Sequence, residues 1–122
     1  MSLVLLVEDD GDIREMMGLL LEDADHVVVT APHGKEALRL LHAGLRPDVI
    51  IMDLMMPVMS GWELHEQMRR EPAIASIPTI VITGDAKAVH RPDSLHVMAL
   101  LTKPFEPEAL LSLVDDVGPA PS

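Results

Sequence analysis

The chain has no cysteine among its 122 residues, which excludes disulfides and thiolate metal sites together. Tyrosine is absent as well, and the aromatic content is one tryptophan and one phenylalanine. Positive charge is scarce: 9 Lys and Arg stand against 20 Asp and Glu, a formal net charge of −11. Phosphate contacts need clustered Lys and Arg, so this balance argues against a nucleic-acid-binding surface. Such a balance suits a cation-binding pocket or a partner with a basic surface. No apolar run approaches the roughly 20 residues that span a bilayer, and no basic segment precedes an apolar signal core at the N-terminus. The expectation is a cytoplasmic protein without membrane contact.

Hydrophobic residues make up 48% of the chain, enough to bury one real core in one domain. Short apolar runs alternate with helical patterns from end to end, the signature of repeated βα units and a parallel sheet. Leu3 to Val7 is aliphatic throughout, as a strand covered on both faces must be. Ile13, Met16, Met17, Leu20 and Leu21 then recur at helical spacing, after Asp10 to Asp12 as candidate caps. Val27 to Val29 is a second strand, and His33 to Ala43 reads as a helix closed by Gly44. Val49 to Met52 is the third strand, and Ser60-Gly61 opens a helix that Pro72 stops near Glu71. Ile80 to Ile82 and Val97 to Leu101 are the fourth and fifth strands. A last helix starts at Pro107, where the missing N–H was unpaired anyway, and runs to about Val117. Between Thr83 and His96 the alternation calls for one more helix. Pro92 and Asp93 interrupt it, so that helix is expected to be short or irregular. Residues 1–117 are read as the domain and 118–122 as a tail or linker stub.

In an open α/β sheet, ligands bind beyond the carboxyl ends of the strands, near the topological switch point. The unusual polar residues of this sequence fall there. Glu8, Asp9 and Asp10 follow the first strand, Asp53 ends the third, Thr83 ends the fourth and Lys103 follows the fifth. Taken singly, each reads as a solvated cap, a turn residue or a surface charge. Four such endings converge on one crevice. Clustered carboxylates repel and are costly to keep ionised without a cation. Mg²⁺ is a hard ion that takes one or two carboxylates together with phosphate oxygens. A carboxylate beside such a metal, with a hydroxyl and an ammonium at hand, can attack phosphorus and form an acyl phosphate.

These residues make the chain recognisable. It resembles the receiver domain of two-component response regulators over nearly its whole length. The resemblance is carried by Val7-Glu8-Asp9-Asp10, Gly34-Lys35-Glu36-Ala37-Leu38, Asp53-Leu54-Met55-Met56-Pro57 with Gly61, Ile82-Thr83-Gly84 and Lys103-Pro104-Phe105. It implies a flavodoxin-like, doubly wound sheet of five parallel strands in order 2-1-3-4-5, with five helices. It implies Asp53 as phosphoacceptor and Asp9 as direct metal ligand. Glu8 would act through metal-bound water, and the backbone carbonyl of Met55 would add another metal oxygen. Thr83 and Lys103 would contact the phosphoryl group, with Asp10 and Pro104 in secondary places. Mg²⁺, or Mn²⁺ in its stead, is the implied cofactor. A sensor histidine kinase or phosphotransfer protein is the implied donor. The downstream protein partner is open, and a weak homodimer is allowed. The chain departs from the pattern at Leu100, where the family usually has an aromatic, and Lys103 follows Thr83 by a slightly short 20 residues.

The leading reading is thus a phosphoacceptor switch, not an enzyme acting on outside substrates. The missing aromatic and the irregular fourth unit motivate an alternative, a receiver-like docking module whose output depends weakly on phosphorylation. A true phosphatase is disfavoured, because Met55 stands where such Asp nucleophile enzymes commonly carry a second acid. The remaining motifs fail on spacing. His65-Glu66 has no second His where a zinc protease needs one, and Ile13 stands where a calcium loop needs glycine.

Overall fold

A computed structural model describes residues 2–56, 59–84 and 99–117. In chain order the elements are β1 (Leu3–Val7), α1 (Gly11–Asp23), β2 (Val27–Ala31), α2 (Gly34–His42), β3 (Val49–Asp53), α3 (Gly61–Arg69), β4 (Thr79–Thr83), β5 (Ala99–Thr102) and α4 (Pro107–Val117). All four strand pairings are parallel, and the sheet runs β2-β1-β3-β4-β5. This is the expected doubly wound order. Four helices are present among the described residues. The irregular helix expected around Pro92 and Asp93 lies outside them, as do Val97 and Met98, Pro57 and the 118–122 tail. Within the described residues β5 reaches Thr102, one residue beyond the expected end, and β2 extends from Val29 to Ala31 because it stays paired with β1 through Val7.

The alternation of side chains along the strands builds two cores. Val7, Leu5, Ile50, Met52 and Val81 point to one face, where Ala37 and Leu41 of α2 and Leu64 and Met68 of α3 cover them. Val4, Leu6, Val49, Ile51, Ile80 and Ile82 point to the other, under Met17 and Leu21 of α1 and Leu110 and Val114 of α4. Burying a Leu, Ile, Val or Met side chain contributes about 1.5–3 kcal/mol, and β3 and β4 are buried at every position. That two-sided burial explains why their sequences are continuous aliphatic runs rather than alternating ones.

Side-chain caps start three of the helices. Asp10 Oδ1 accepts from the amides of Asp12 and Ile13 at the start of α1. His33 Nδ1 accepts from Glu36 N at 3.2 Å, and Ser60 Oγ accepts from Glu63 N at 3.2 Å. At the far end of α2, Gly44 has φ of 111°, the left-handed conformation a glycine adopts without steric cost. The helix closes where expected.

Candidate functional site

The parity of each strand decides which side chains meet beyond the sheet. Glu8 continues the Val4, Leu6 series of β1, and Asp53 the Val49, Ile51 series of β3. Lys103 follows Leu101 two residues on, so all three fall on the face that α1 and α4 cover. β1 and β3 are also adjacent in the sheet. This is where the connections reverse direction, and where an open α/β sheet leaves its crevice.

The three side chains touch. Lys103 Nζ donates to Asp53 Oδ2 at 2.8 Å and to Glu8 Oε1 at 3.2 Å. Asp53 and Glu8 are buried, at 6% and 2% exposure, whereas Asp9 is exposed. Carboxylate oxygens of Glu8, Asp9 and Asp53 all lie within 4.8 Å of one another. The other Asp53 oxygen, Oδ1, accepts the amide N–H of Met55 at 2.9 Å. That bond curls the chain just after β3, while the Met55 side chain stays 65% exposed.

The electrostatics follow from this crowding. Burial, then the hydrogen bond and repulsion of neighbouring Asp53, push the Glu8 carboxyl up to about 7, against a smaller opposing pull from Lys103. Burial draws the Lys103 ammonium down, but its bonds to Asp53 and Glu8 outweigh this and hold it above the usual lysine value. One fixed ammonium therefore serves two buried carboxylates, and a third acid stands at the rim. Such an all-oxygen, acid-rich set fits a hard divalent cation and offers no nitrogen or sulfur for softer metals.

The remaining expected residues stand at different places in the fold. Thr83 is fully buried at the end of β4, and its carbonyl accepts the Lys103 amide at 2.8 Å, which ties the end of β4 to the residue after β5. Leu100 pairs with Val81 and packs on the core under α2 and α3, not on the acid pocket. Asp10 is the α1 cap. Pro104 follows a cis Lys103–Pro104 peptide. It lines an apolar groove of about 510 Å³ with Ile13, Met16, Met17, Leu20 and Phe105. Lys103 also lines that groove, while its ammonium points into the acid pocket.

Two contributors went unread or half-read in the sequence. Gly61 packs so tightly on the end of β3 that a Cβ there would stand 2.7 Å from the Asp53 carbonyl oxygen and 2.9 Å from Leu54 Cα. Its amide donates to Leu54 O at 3.0 Å. Arg14 of α1 donates from Nη1 to the backbone carbonyl of Glu8 at 2.8 Å. No spacing rule marks that contact.

Comparison with known proteins adds independent findings. Residues 4–115 match the family model described as the response regulator receiver domain. The phosphate regulon transcriptional regulatory protein PhoB of Pseudomonas aeruginosa is 32% identical over 89% of this chain and 48% of its own length. The chain thus spans about half of that relative. Among solved structures, the chemotaxis response regulator CheY4 of Vibrio cholerae superposes with a TM-score of 0.86 at 35% identity, covering 96% of this chain and 98% of that one. The response regulator protein TrrA of Thermotoga maritima, in complex with Mg²⁺-BeF, gives a TM-score of 0.86 at 26% identity over 96% of this chain and 99% of that one.

Proposed function

The chain belongs to the response regulator receiver family, and on that premise we propose that Asp53 is its phosphoacceptor. It is a receiver domain of two-component signalling. The observation that carries the residue assignment is the buried Asp53 carboxylate, held by Lys103 at 2.8 Å and by the Met55 amide at 2.9 Å, with Glu8 and Asp9 beside it.

In this reading an Asp53 oxygen attacks the phosphorus of a phosphohistidine on a sensor kinase or phosphotransfer protein. The P–O bond forms as the P–N bond breaks, the imidazole leaves, and an acyl phosphate remains on Asp53. The Met55 amide holds Oδ1 so that the carboxylate cannot rotate away from the crevice. Lys103 transfers its hydrogen bond from Oδ2 to a phosphoryl oxygen, and the Thr83 hydroxyl contacts the same group. Glu8, Asp9, Asp53 and the Met55 carbonyl would hold Mg²⁺, or Mn²⁺ in its place, which when bound neutralises charge on the transferring phosphoryl group. Hydrolysis by water restores Asp53, so the domain assists only its own phosphorylation and dephosphorylation.

Residues 1–117 act as the receiver unit, and the cytoplasm, where kinase domains and nucleotide are found, is its place of action. No helix among the described residues is long and apolar enough to cross a membrane. The docking-module alternative gains nothing from the structure, in which Glu8, Asp9, Asp53 and Lys103 stand together. Incubation with Mg²⁺ and acetyl phosphate should add the mass of one phosphoryl group, and Asp53→Asn should abolish the gain. No gain, or an equal gain in the variant, rejects the assignment.

A further inference from the structure

Beyond the acid pocket, one polar contact has no part in the proposal above. Arg14, the fourth residue of α1, folds back along the helix start. Its Nη1 donates to the Glu8 carbonyl oxygen at 2.8 Å in a half-buried bond, while its own amide donates to the Asp10 carbonyl at 2.8 Å. The Asp10 carboxylate in turn caps the amides of Asp12 and Ile13. On the strand side, the Glu8 amide is bound to Ala31 O at 3.1 Å. Asp9 therefore sits between two pinned peptides. Glu8 is fixed at both its amide and its carbonyl, and Asp10 at both its carbonyl and its side chain.

The restraint has a physical purpose. Beyond the last ladder bond of β1 the Glu8 carbonyl needs another donor, since a half-buried backbone oxygen left unpaired is costly. A guanidinium can reach it from the helix because its planar fork carries several donors. Asp9 is exposed and faces two buried carboxylates whose oxygens lie within 4.8 Å of its own. Repulsion would turn it toward solvent unless its backbone were fixed. We propose that Arg14 is a positioning residue for this pocket: by holding the Glu8 carbonyl, it sets the backbone from which the Glu8 and Asp9 carboxylates converge with Asp53. This rests on the reading that the pocket takes Mg²⁺.

The sign of the effect separates positioning from charge. Removing a nearby positive charge should by Coulomb's law tighten the binding of a divalent cation. Removing a clamp should weaken it, and partners that orient metal ligands are typically worth about 10–100-fold in affinity. Mg²⁺ affinity would be measured by isothermal titration calorimetry on the wild type, Arg14→Met and Arg14→Lys. Amide hydrogen exchange by NMR would be followed in the metal-free proteins. The expected result is Mg²⁺ binding weakened about tenfold in Arg14→Met and largely restored in Arg14→Lys. Exchange should rise in Arg14→Met at the amides of Glu8, bound to Ala31 O, and Ile13, bound to Asp10 Oδ1, and stay unchanged at Val4 to Val7. Equal or tighter Mg²⁺ binding by Arg14→Met, or unaltered exchange at Glu8 and Ile13, overturns the positioning role. If the wild type binds no Mg²⁺ while Arg14→Met still loosens Glu8 and Ile13, the clamp stands as a backbone restraint. The metal reading of the pocket, and with it the role in metal binding, is then overturned.

Discussion

Lys103 Nζ lies 2.8 Å from Asp53 Oδ2 and 3.2 Å from Glu8 Oε1, so a single ammonium bridges the ends of β1 and β3. Its side chain also lines the apolar groove beside α1, with Met16, Met17 and Phe105. The two carboxylate bonds fix the charge in place.

Replacing Lys103 with Met keeps most of the aliphatic stem and removes the charge. Two buried carboxylates would lose their common donor, at a cost of about 1–3 kcal/mol in metal-free protein near pH 8. Urea unfolding of wild type and variant checks the value. Equal midpoints would show that the bridge contributes nothing to stability.

Glu8 gives a pH signature. Its folded pKa is about 7 against an ordinary value of 4.5, so between those values the folded protein holds a proton that the unfolded chain releases. Stability from this group is therefore highest at the acid end and is lost as pH rises from about 4.5 through about 7. Metal-free wild type should lose stability relative to Glu8→Gln across that window, with the gap widest above pH 7. A gap of constant size from pH 5 to pH 8 would contradict the shifted carboxyl.

Asp10 and Asp9 are neighbours with different work. Asp10 caps α1, and Ser caps about as well as Asp. Asp10→Ser should leave stability within about 0.5 kcal/mol and keep Mg²⁺ binding close to wild type. Asp9→Ser should lose most of the Mg²⁺ binding. Calorimetric titration distinguishes them, and equal losses in the two variants would move the ligand role to the acidic cluster as a whole.

Gly61 carries the tightest backbone approach near the site. A methyl group there meets the Asp53 carbonyl and Leu54 Cα, both backbone atoms of a fully buried strand end that cannot step aside cheaply. Gly61→Ala should cost about 1–3 kcal/mol, the usual range for overpacking. Slower phosphorylation of Asp53 should accompany the loss. Thermal unfolding at wild-type temperature would show that β3 and α3 separate more readily than their packing suggests.

Much of this molecule was legible because burial leaves a direct trace in residue type. β3 and β4 are buried on both faces, so their sequences are unbroken aliphatic runs. The acids and the lysine stand out where those runs stop. Strand parity then places Glu8, Asp53 and Lys103 on one side. What could not be read depends on reach rather than type. Arg14 looks like any polar residue on an amphipathic helix, and only the fold shows its guanidinium returning to the Glu8 carbonyl. The groove between α1 and Phe105 joins residues roughly ninety positions apart along the chain. No local pattern encodes such a distance. Leu100 was noticed as a departure, and its place in the core under α2 and α3 follows from its pairing with Val81.

Asp53 carries the chemistry on which the switch depends. Borohydride reduces an aspartyl acyl phosphate to homoserine, and peptide mass spectrometry then locates the altered residue. After treatment with acetyl phosphate and Mg²⁺, homoserine should be found at position 53 alone, and only when Mg²⁺ is present. Reduction product at Glu8, Asp9 or elsewhere instead of Asp53, or none under conditions that sustain Mg²⁺ binding, would contradict the account.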